Sequence, residues 1–438
     1  MAKKWISMAA ACALLFFCAM PAAAATGPWV PSEAYLVMDA ETGQVLLAKN
    51  ADEELDPASV TKIMTLGLAC QKANGDWTAQ LTVTHDDVHT LYGTDSSHIA
   101  LAEGEIVTLE EMLYATAMAS ANDAANVLAE YIGGSIEGGV AAMNAEAEVL
   151  GLAHTHFMNP HGISEDGHYT SAGDLAVILQ WAMQQPGFAQ IFTDTNMYTM
   201  PGTNVHPEVR YFSVQDHMRR QSSMYYVPEI TGSKIGYTDV ARYTYACTAE
   251  KDGVKLICTV MKSDLKTDKY ADVKTLIDYS FAHFRSVTVT PGGSVNVTVQ
   301  GGGEALGTLQ AAAPAVTVLL DTSLDESAVS FAAQDVSYTL GDEMPQAAFS
   351  ISGQGAQEDV TVTADLALDG LADLLAGAPT DDLPAAKVEA KILAEEKGLR
   401  VPIWLLIPAV AACVAFLVLR MRRVKATEHR KRLRNNAK

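Results

Sequence analysis

LDPASVTKIMTLGLAC, residues 55–70, decides how the rest of the chain is read. Asp56 can cap a helix and Pro57 suits its first turn, because neither needs an intrahelical donor there. The apolar run Val60, Ile63, Met64, Leu66 and Leu68 predicts that the helix is mostly buried. Ser59 and Lys62 are three apart, which makes them neighbours on one helical face. A serine hydroxyl needs a base to become nucleophilic, and a lysine serves if burial lowers its pKa. The helix start also turns backbone N–H groups towards an anion. Such a pair can carry acyl transfer without histidine. Taken alone, it supports an ordinary helix start equally well, since Ser-x-x-Lys arises about once in a few hundred residues. A second copy, Ser263 to Lys266, lies in the charged text SDLKTDK and is read as a solvated loop.

The two ends bound the architecture. Lys3 and Lys4 precede an apolar run from Met8 to Met20 and a string of alanines, the pattern of a signal peptide over residues 1–25. Val401 to Leu419 carries no charge and is long enough to cross a bilayer once. Nine basic residues and one acid follow that run, so the positive-inside rule places the tail, 421–438, in the cytoplasm and the body outside. The expected location is therefore the cell membrane, with a single pass at 401–420. Residues 420–438 hold nine of the 30 basic residues but one of the 52 acids, so the body is more acidic than the whole-chain net charge of −22. That charge argues against a nucleic-acid partner. Cys12, Cys18 and Cys413 fall in the apolar ends. The remaining Cys70, Cys247 and Cys258 are odd in number and are read as buried thiols.

Between the ends, residues 34–38 (AYLVM) and 44–48 form a hairpin that delivers the chain to Ser59. Thr108 and Glu111 make a capping box for a helix that stops at Ser120-Ala121-Asn122, with Asp123 as the next N-cap. That polar break between buried helices can offer a side chain to a cleft. His154, His156, His161 and His168 cluster among Gly, Asn and Pro, and their spacings match no metal-ligand pair on one helix; they are read as loop. From Glu229, three strand patterns (EITGSKIGYT, RYTYACTA, VKLICTVMK) and a helix over Tyr270–Phe284 predict an α+β domain with the serine helix against an antiparallel sheet. Alternating valines and Gly-rich turns then predict a small all-β domain over 286–368, with a linker and juxtamembrane helix over 369–400.

Ser59-Val60-Thr61-Lys62, Ser120-Ala121-Asn122 and Lys234-Ile235-Gly236 lie on three separate elements. Their order and spacing resemble the three motifs of penicillin-binding proteins and serine β-lactamases. MASANDAANVLAE, FMNPHGISEDGHYTSAGDLA and GSKIGYTDVARYTYACTA narrow the resemblance to the low-molecular-mass D-alanyl-D-alanine carboxypeptidases, over roughly residues 30–285. The resemblance implies a penicillin-binding, β-lactamase-like transpeptidase fold over 26–285. It also implies a peptidoglycan pentapeptide substrate, β-lactam antibiotics as covalent inhibitors, and no cofactor. By the same resemblance, Ser59 is the nucleophile, Lys62 its base and Ser120 a proton relay. Asn122 and Lys234 bind substrate, Gly236 belongs to the third motif, and the N–H of Tyr237 completes an oxyanion hole with that of Ser59.

Ile235 breaks the pattern, since the family usually has Thr or Ser between the Lys and Gly. A lost hydrogen bond to a charged group costs about 1.5–3 kcal/mol, roughly tenfold to a hundredfold in efficiency. Ser233, Thr238 or Arg242 could replace the contact. Two alternatives stay open: a serine β-lactamase, although no Glu-x-x-Leu-Asn loop occurs near Glu165, and a non-catalytic cell-wall binding protein, favoured only by Ile235.

Overall fold

Strand β1 (Ala34–Asp39) shows how the core is divided. Ala34, Leu36 and Met38 enter one hydrophobic cluster, while Tyr35 and Val37 enter another. That is the period of two expected of a strand covered on both faces. β1 turns through Asp39, whose carboxylate accepts the Thr42 hydroxyl at 2.6 Å, into β2 (Val45–Lys49).

The computed structural model describes residues 27–376 apart from 95, 302–303, 333–334, 341–343 and 353–359. The expected signal peptide (1–25), most of the 369–400 linker, the 401–420 membrane span and the basic tail (421–438) lie outside the described residues. Among those described, no helix is long and apolar enough to cross a membrane.

After β2 a 3-10 turn, Ala58–Thr61, leads into α1 (Lys62–Ala73). The short strands β3 (Gln80–Thr82) and β4 (Ile106–Thr108) pair around α2 (His85–His89). Then come α3 (Leu109–Met118), α4 (Asn122–Gly133), α5 (Ile136–Val149), α6 (Ala172–Met183) and α7 (Phe188–Thr193). A two-stranded ribbon, β5 (Tyr198–Met200) with β6 (Arg210–Phe212), precedes the meander β7 (Ile230–Thr238), β8 (Arg242–Lys251) and β9 (Val254–Ser263). The meander joins β1 and β2 in one antiparallel sheet of order β2-β1-β9-β8-β7. Val60, Ile63 and Met64 pack with Leu113, Leu128 and Leu179 on one face of it. Tyr270, Val273, Leu276 and Ile277 of α8 (Lys266–His283) cover the other.

Several expectations are corrected. Asp56 accepts the Ala58 N–H at 2.9 Å but does not cap a helix: Pro57 holds the N-cap place of a 3-10 turn, and the α-helix itself starts at Lys62. Asp123 is not an N-cap: Ala121 takes that place, and the Asp123 carboxylate instead accepts the N–H groups of Ile99 and Leu101. The helix expected at Tyr270 begins a turn earlier, at Lys266. Ser263 is buried at the end of β9 opposite Tyr243, with no partner for its hydroxyl, because strand alternation continues into the charged text. The capping box holds: Thr108 accepts the Glu111 N–H at 3.2 Å and donates its own N–H back at 2.7 Å. Cys70, Cys247 and Cys258 are free and buried.

From Phe284 to Asp365 the described residues are mostly strand. β10 (Phe284–Val289), β11 (Ser294–Gly301), β12 (Glu304–Ala312) and β13 (Val316–Asp321) come first. β14 (Val329–Ala332), β15 (Val336–Thr339), β16 (Gln346–Ile351) and β17 (Val360–Asp365) follow. Two compact units result. The first runs to Ser294 and adds Ala312–Gln334 and Gln346–Leu366; the second contains Val295–Ala311, Asp335–Pro345 and the residues from Ala367. In the first unit β10 pairs β13 and β14-β16-β17 form a sheet; in the second, β12-β11-β15 form another.

Candidate active site

Ala58 has φ +50°, a conformation that costs a non-glycine residue of order 1–3 kcal/mol. Its neighbours over-determine it. Asp56 holds its N–H, and the Thr61 hydroxyl donates to its carbonyl at 2.8 Å. His168 supports Thr61 in turn. Its Nδ1 accepts the Met158 N–H at 3.0 Å, so in the neutral ring Nε2 carries the proton and donates to Thr61 Oγ1 at 2.9 Å. Burial, chiefly, lowers the His168 pKa to about 4, which keeps the ring neutral. The strained turn presents half-buried Ser59 to a cleft of about 1100 Å³.

Lys62 lies beneath Ser59, fully buried. Its Nζ is 3.0 Å from Ser59 Oγ, 2.7 Å from Asn122 Oδ1 and 2.7 Å from the carbonyl of His161. Desolvation first, and then the positive charge of Lys234, holds its pKa well below the ordinary lysine value, with Asp123 opposing. In its neutral form the amine has two N–H donors and one lone pair. The amide and peptide oxygens can only accept, so they take the two donors. Ser59 is the one partner able to donate, and the lone pair faces its hydroxyl.

The Ser120-Ala121-Asn122 break supplies the opposite wall. Ser120 has φ +56°, and the Asn122 N–H donates to the carbonyl of Ser97 at 2.8 Å. Ser120 Oγ accepts from Lys234 Nζ at 2.8 Å, and Lys234 also reaches the carbonyl of Ile235 at 3.1 Å. Burial and Lys269 bring the Lys234 pKa down to about 7, while Asp216 pulls the other way. A Cβ on Gly236 would stand 2.3 Å from Thr244 Oγ1 and 2.9 Å from the Ser59 nitrogen, so only glycine lets β7 approach the nucleophile. Tyr237 is exposed at the rim, its hydroxyl donating to Asp239 at 2.8 Å.

All seven expected residues therefore meet at one place. Ser59, Ser120, Asn122, Lys234, Gly236 and Tyr237 line the cleft, and Lys62 touches it through Ser59. Ile235 lines it too, half-buried. Of its three candidate replacements, Ser233 donates to Asp216 at 2.7 Å and Arg242 faces Asp264 at 3.6 Å. Thr238 shares its hydroxyl with Ser164 at 2.8 Å and also lines the cleft.

Sequence reasoning missed three contributors. The His161 carbonyl is aimed at Lys62 by the 159–163 turn, where the Asn159 side chain accepts the Gly162 N–H at 2.7 Å. Gly162 needs φ +88° and leaves no room for a Cβ against the Ala58 carbonyl. Asp216 accepts the Ser233 and Tyr245 hydroxyls at 2.7 and 2.6 Å, buried at the floor. Lys269, lowered to about 8 mainly by burial, packs over the rings of Tyr243, Tyr245 and Tyr270 and adds a second cation. The Asn-Pro-His-Gly text was the available signal for the first; nothing in the local sequence marks the other two.

A serine held against a buried lysine amine, with a second serine and a lysine facing it, defines a serine acyl-transfer site on an α+β scaffold. Residues 21–265, more than half of the chain, match the family described as D-alanyl-D-alanine carboxypeptidase, and the chain belongs to that family. It is 32% identical over 251 residues to the D-alanyl-D-alanine carboxypeptidase DacF of Bacillus subtilis, covering 57% of this chain and 62% of that one. It is 30% identical over 266 residues to DacA of Escherichia coli, covering 59% and 63%. The chain thus spans a little under two thirds of the length of these relatives. Among solved structures, the D-alanyl-D-alanine carboxypeptidase of Mycobacterium tuberculosis matches with TM-score 0.52 at 28% identity, over 60% of this chain and 96% of that one. DacD of Francisella tularensis matches with TM-score 0.59, over 78% and 95%; at 18% identity it speaks for the fold alone.

Proposed function

We propose that this protein is a serine-type D-alanyl-D-alanine carboxypeptidase that removes the terminal D-alanine from peptidoglycan stem peptides and is acylated by β-lactams. The observation that carries the reading is the 3.0 Å contact between Ser59 Oγ and the buried Lys62 amine. Lys62 takes the Ser59 proton as Oγ attacks the carbonyl joining the two D-alanines. The N–H groups of Ser59 and Tyr237 hold the resulting oxyanion, an effect worth a few kcal/mol. Ser120, bridged to Lys234, relays to the departing D-alanine amine the proton that Lys62 took from Ser59, which leaves Lys62 neutral again. Asn122 orients the substrate amide, and Lys234 with Lys269 attracts the terminal carboxylate. Water then cleaves the Ser59 ester, giving the shortened peptide and the free hydroxyl.

The β-lactamase alternative would need a base for rapid deacylation. Glu165 is engaged by the Asn159 side chain at 3.2 Å and is not among the residues lining the cleft, which weighs against it. The uncharged run at 401–419 and the basic residues after it support a second proposal, that the protein is held in the membrane with residues 26–285 outside as the catalytic domain. Release of D-alanine from a diacetyl-lysyl-D-alanyl-D-alanine peptide tests the activity. The reading predicts release that Ser59→Ala abolishes; release unaffected by Ser59→Ala, or none from the intact protein, contradicts it.

A further inference from the structure

Away from the cleft, His85 and His89 occupy positions i and i+4 of α2, which puts their imidazoles on one face. The two rings stack, centroids 3.5 Å apart and planes 19° from parallel. Glu103 meets them from another segment, Oε2 3.1 Å from His85 Nδ1. One ligand atom from each of the three lies within 4.8 Å of the other two, and all three side chains are solvent-exposed.

This meeting is built by the backbone. Val83 donates its N–H to the Glu105 carbonyl and accepts the Gly104 N–H at its own carbonyl, both at 2.8 Å. Glu103 is thereby pinned beside the start of α2. A capping box between Thr84 and Asp87 starts that helix. Asn126 of α4 fixes it from below, donating to the Asp87 carbonyl at 3.0 Å.

We propose that His85, His89 and Glu103 bind a zinc ion, with water completing the coordination. Two imidazoles and one carboxylate suit a borderline late transition ion; calcium and magnesium need six or more oxygens. Zinc bound at about 2.0–2.2 Å to each ligand wants the donor atoms roughly 3.3 Å apart. Rotation of exposed side chains supplies the remaining closure. None of the three ligands lines the Ser59 cleft, so the site is separate from the acyl-transfer chemistry. The segment they bracket does reach it: Thr94, Ser96, Ser97 and His98 form part of the cleft wall. A bound ion would clip the base of that wall.

The full-length, untagged protein titrated calorimetrically with zinc chloride alone tests this. The expected result is one saturable zinc per chain with micromolar affinity. His89→Ala and Glu103→Gln should each weaken it by about tenfold or more, while His154→Ala leaves it unchanged. Zinc should raise the Tm of the wild type by mass action and leave that of His89→Ala where it is. Equal Tm values in chelator establish that the variant folds. Absence of saturable binding below 100 micromolar (about 5.5 kcal/mol of binding free energy), or binding that survives both substitutions, overturns the proposal.

Discussion

At the scale of single residues, the site is a contest between burial and charge. Lys62 must be neutral to accept a proton, and Lys234 must be charged to attract a carboxylate. Burial depresses both pKa values, Lys234 to about 7. In kcat/KM, activity should fall on the acid side as Lys62 protonates. It should fall on the alkaline side as pH rises through about 7 and Lys234 loses its charge. Lys234→Arg keeps the charge at every accessible pH, so its alkaline limb should move upward by more than a pH unit; an unmoved limb would remove Lys234 from that role. Gly236→Ala forces a methyl against the Ser59 nitrogen and the Thr244 hydroxyl. Penicillin acylation should drop about a hundredfold, as for other small misplacements of a reacting group; a loss below threefold would contradict the close-approach argument. Ile235→Thr returns a hydroxyl to the cleft and should raise D-alanine release about tenfold to a hundredfold. If Thr238 already supplies the contact, that gain vanishes and Thr238→Val impairs release instead.

At the scale of elements, the break between α3 and α4 does two things at once. It holds Ser120 at φ +56° over the cleft, and it anchors the neighbouring segment through Asp123, which accepts the Ile99 and Leu101 N–H groups at 3.1 and 3.0 Å. Asp123→Ala leaves those donors, Leu101 buried and Ile99 partly buried, unpaired and should lower stability by about 2–4 kcal/mol, measured by thermal unfolding; a change under about 0.5 kcal/mol would show that water replaces the carboxylate. The break itself was legible, because a helical apolar stripe that stops at Ser-Ala-Asn is a local signal. The use of Asp123 was not, since its partners are backbone groups more than twenty residues away. The same reason hides the His161 carbonyl, which any residue in that turn would present, and Asp216, which comes from an irregular stretch before β7. Ser263 was misread because Asp264 and Lys266 mask an alternation that still follows the sheet.

At the scale of the whole molecule, the α+β fold was legible because the strands announce themselves as short apolar or β-branched runs bounded by turns, continuous in β1, β8 and β9 and alternating in β7, while α1, α3 and α4 carry helical apolar stripes. The proposed crossing rests on the uncharged 401–419 run and its orientation on charge asymmetry, and protease added to intact, wall-stripped cells should degrade the catalytic domain while sparing the basic tail. Protection of that domain would reverse the orientation. Ser59, activated by Lys62, is the proposed acylated nucleophile. Mass spectrometry of the protein after brief penicillin exposure tests it most directly. One penicilloyl group should map to the peptide containing Ser59, and Lys62→Ala, still folded, should acylate about 10²–10⁴-fold more slowly. An adduct on Ser120 or Ser263, or unchanged acylation of Lys62→Ala, would contradict it.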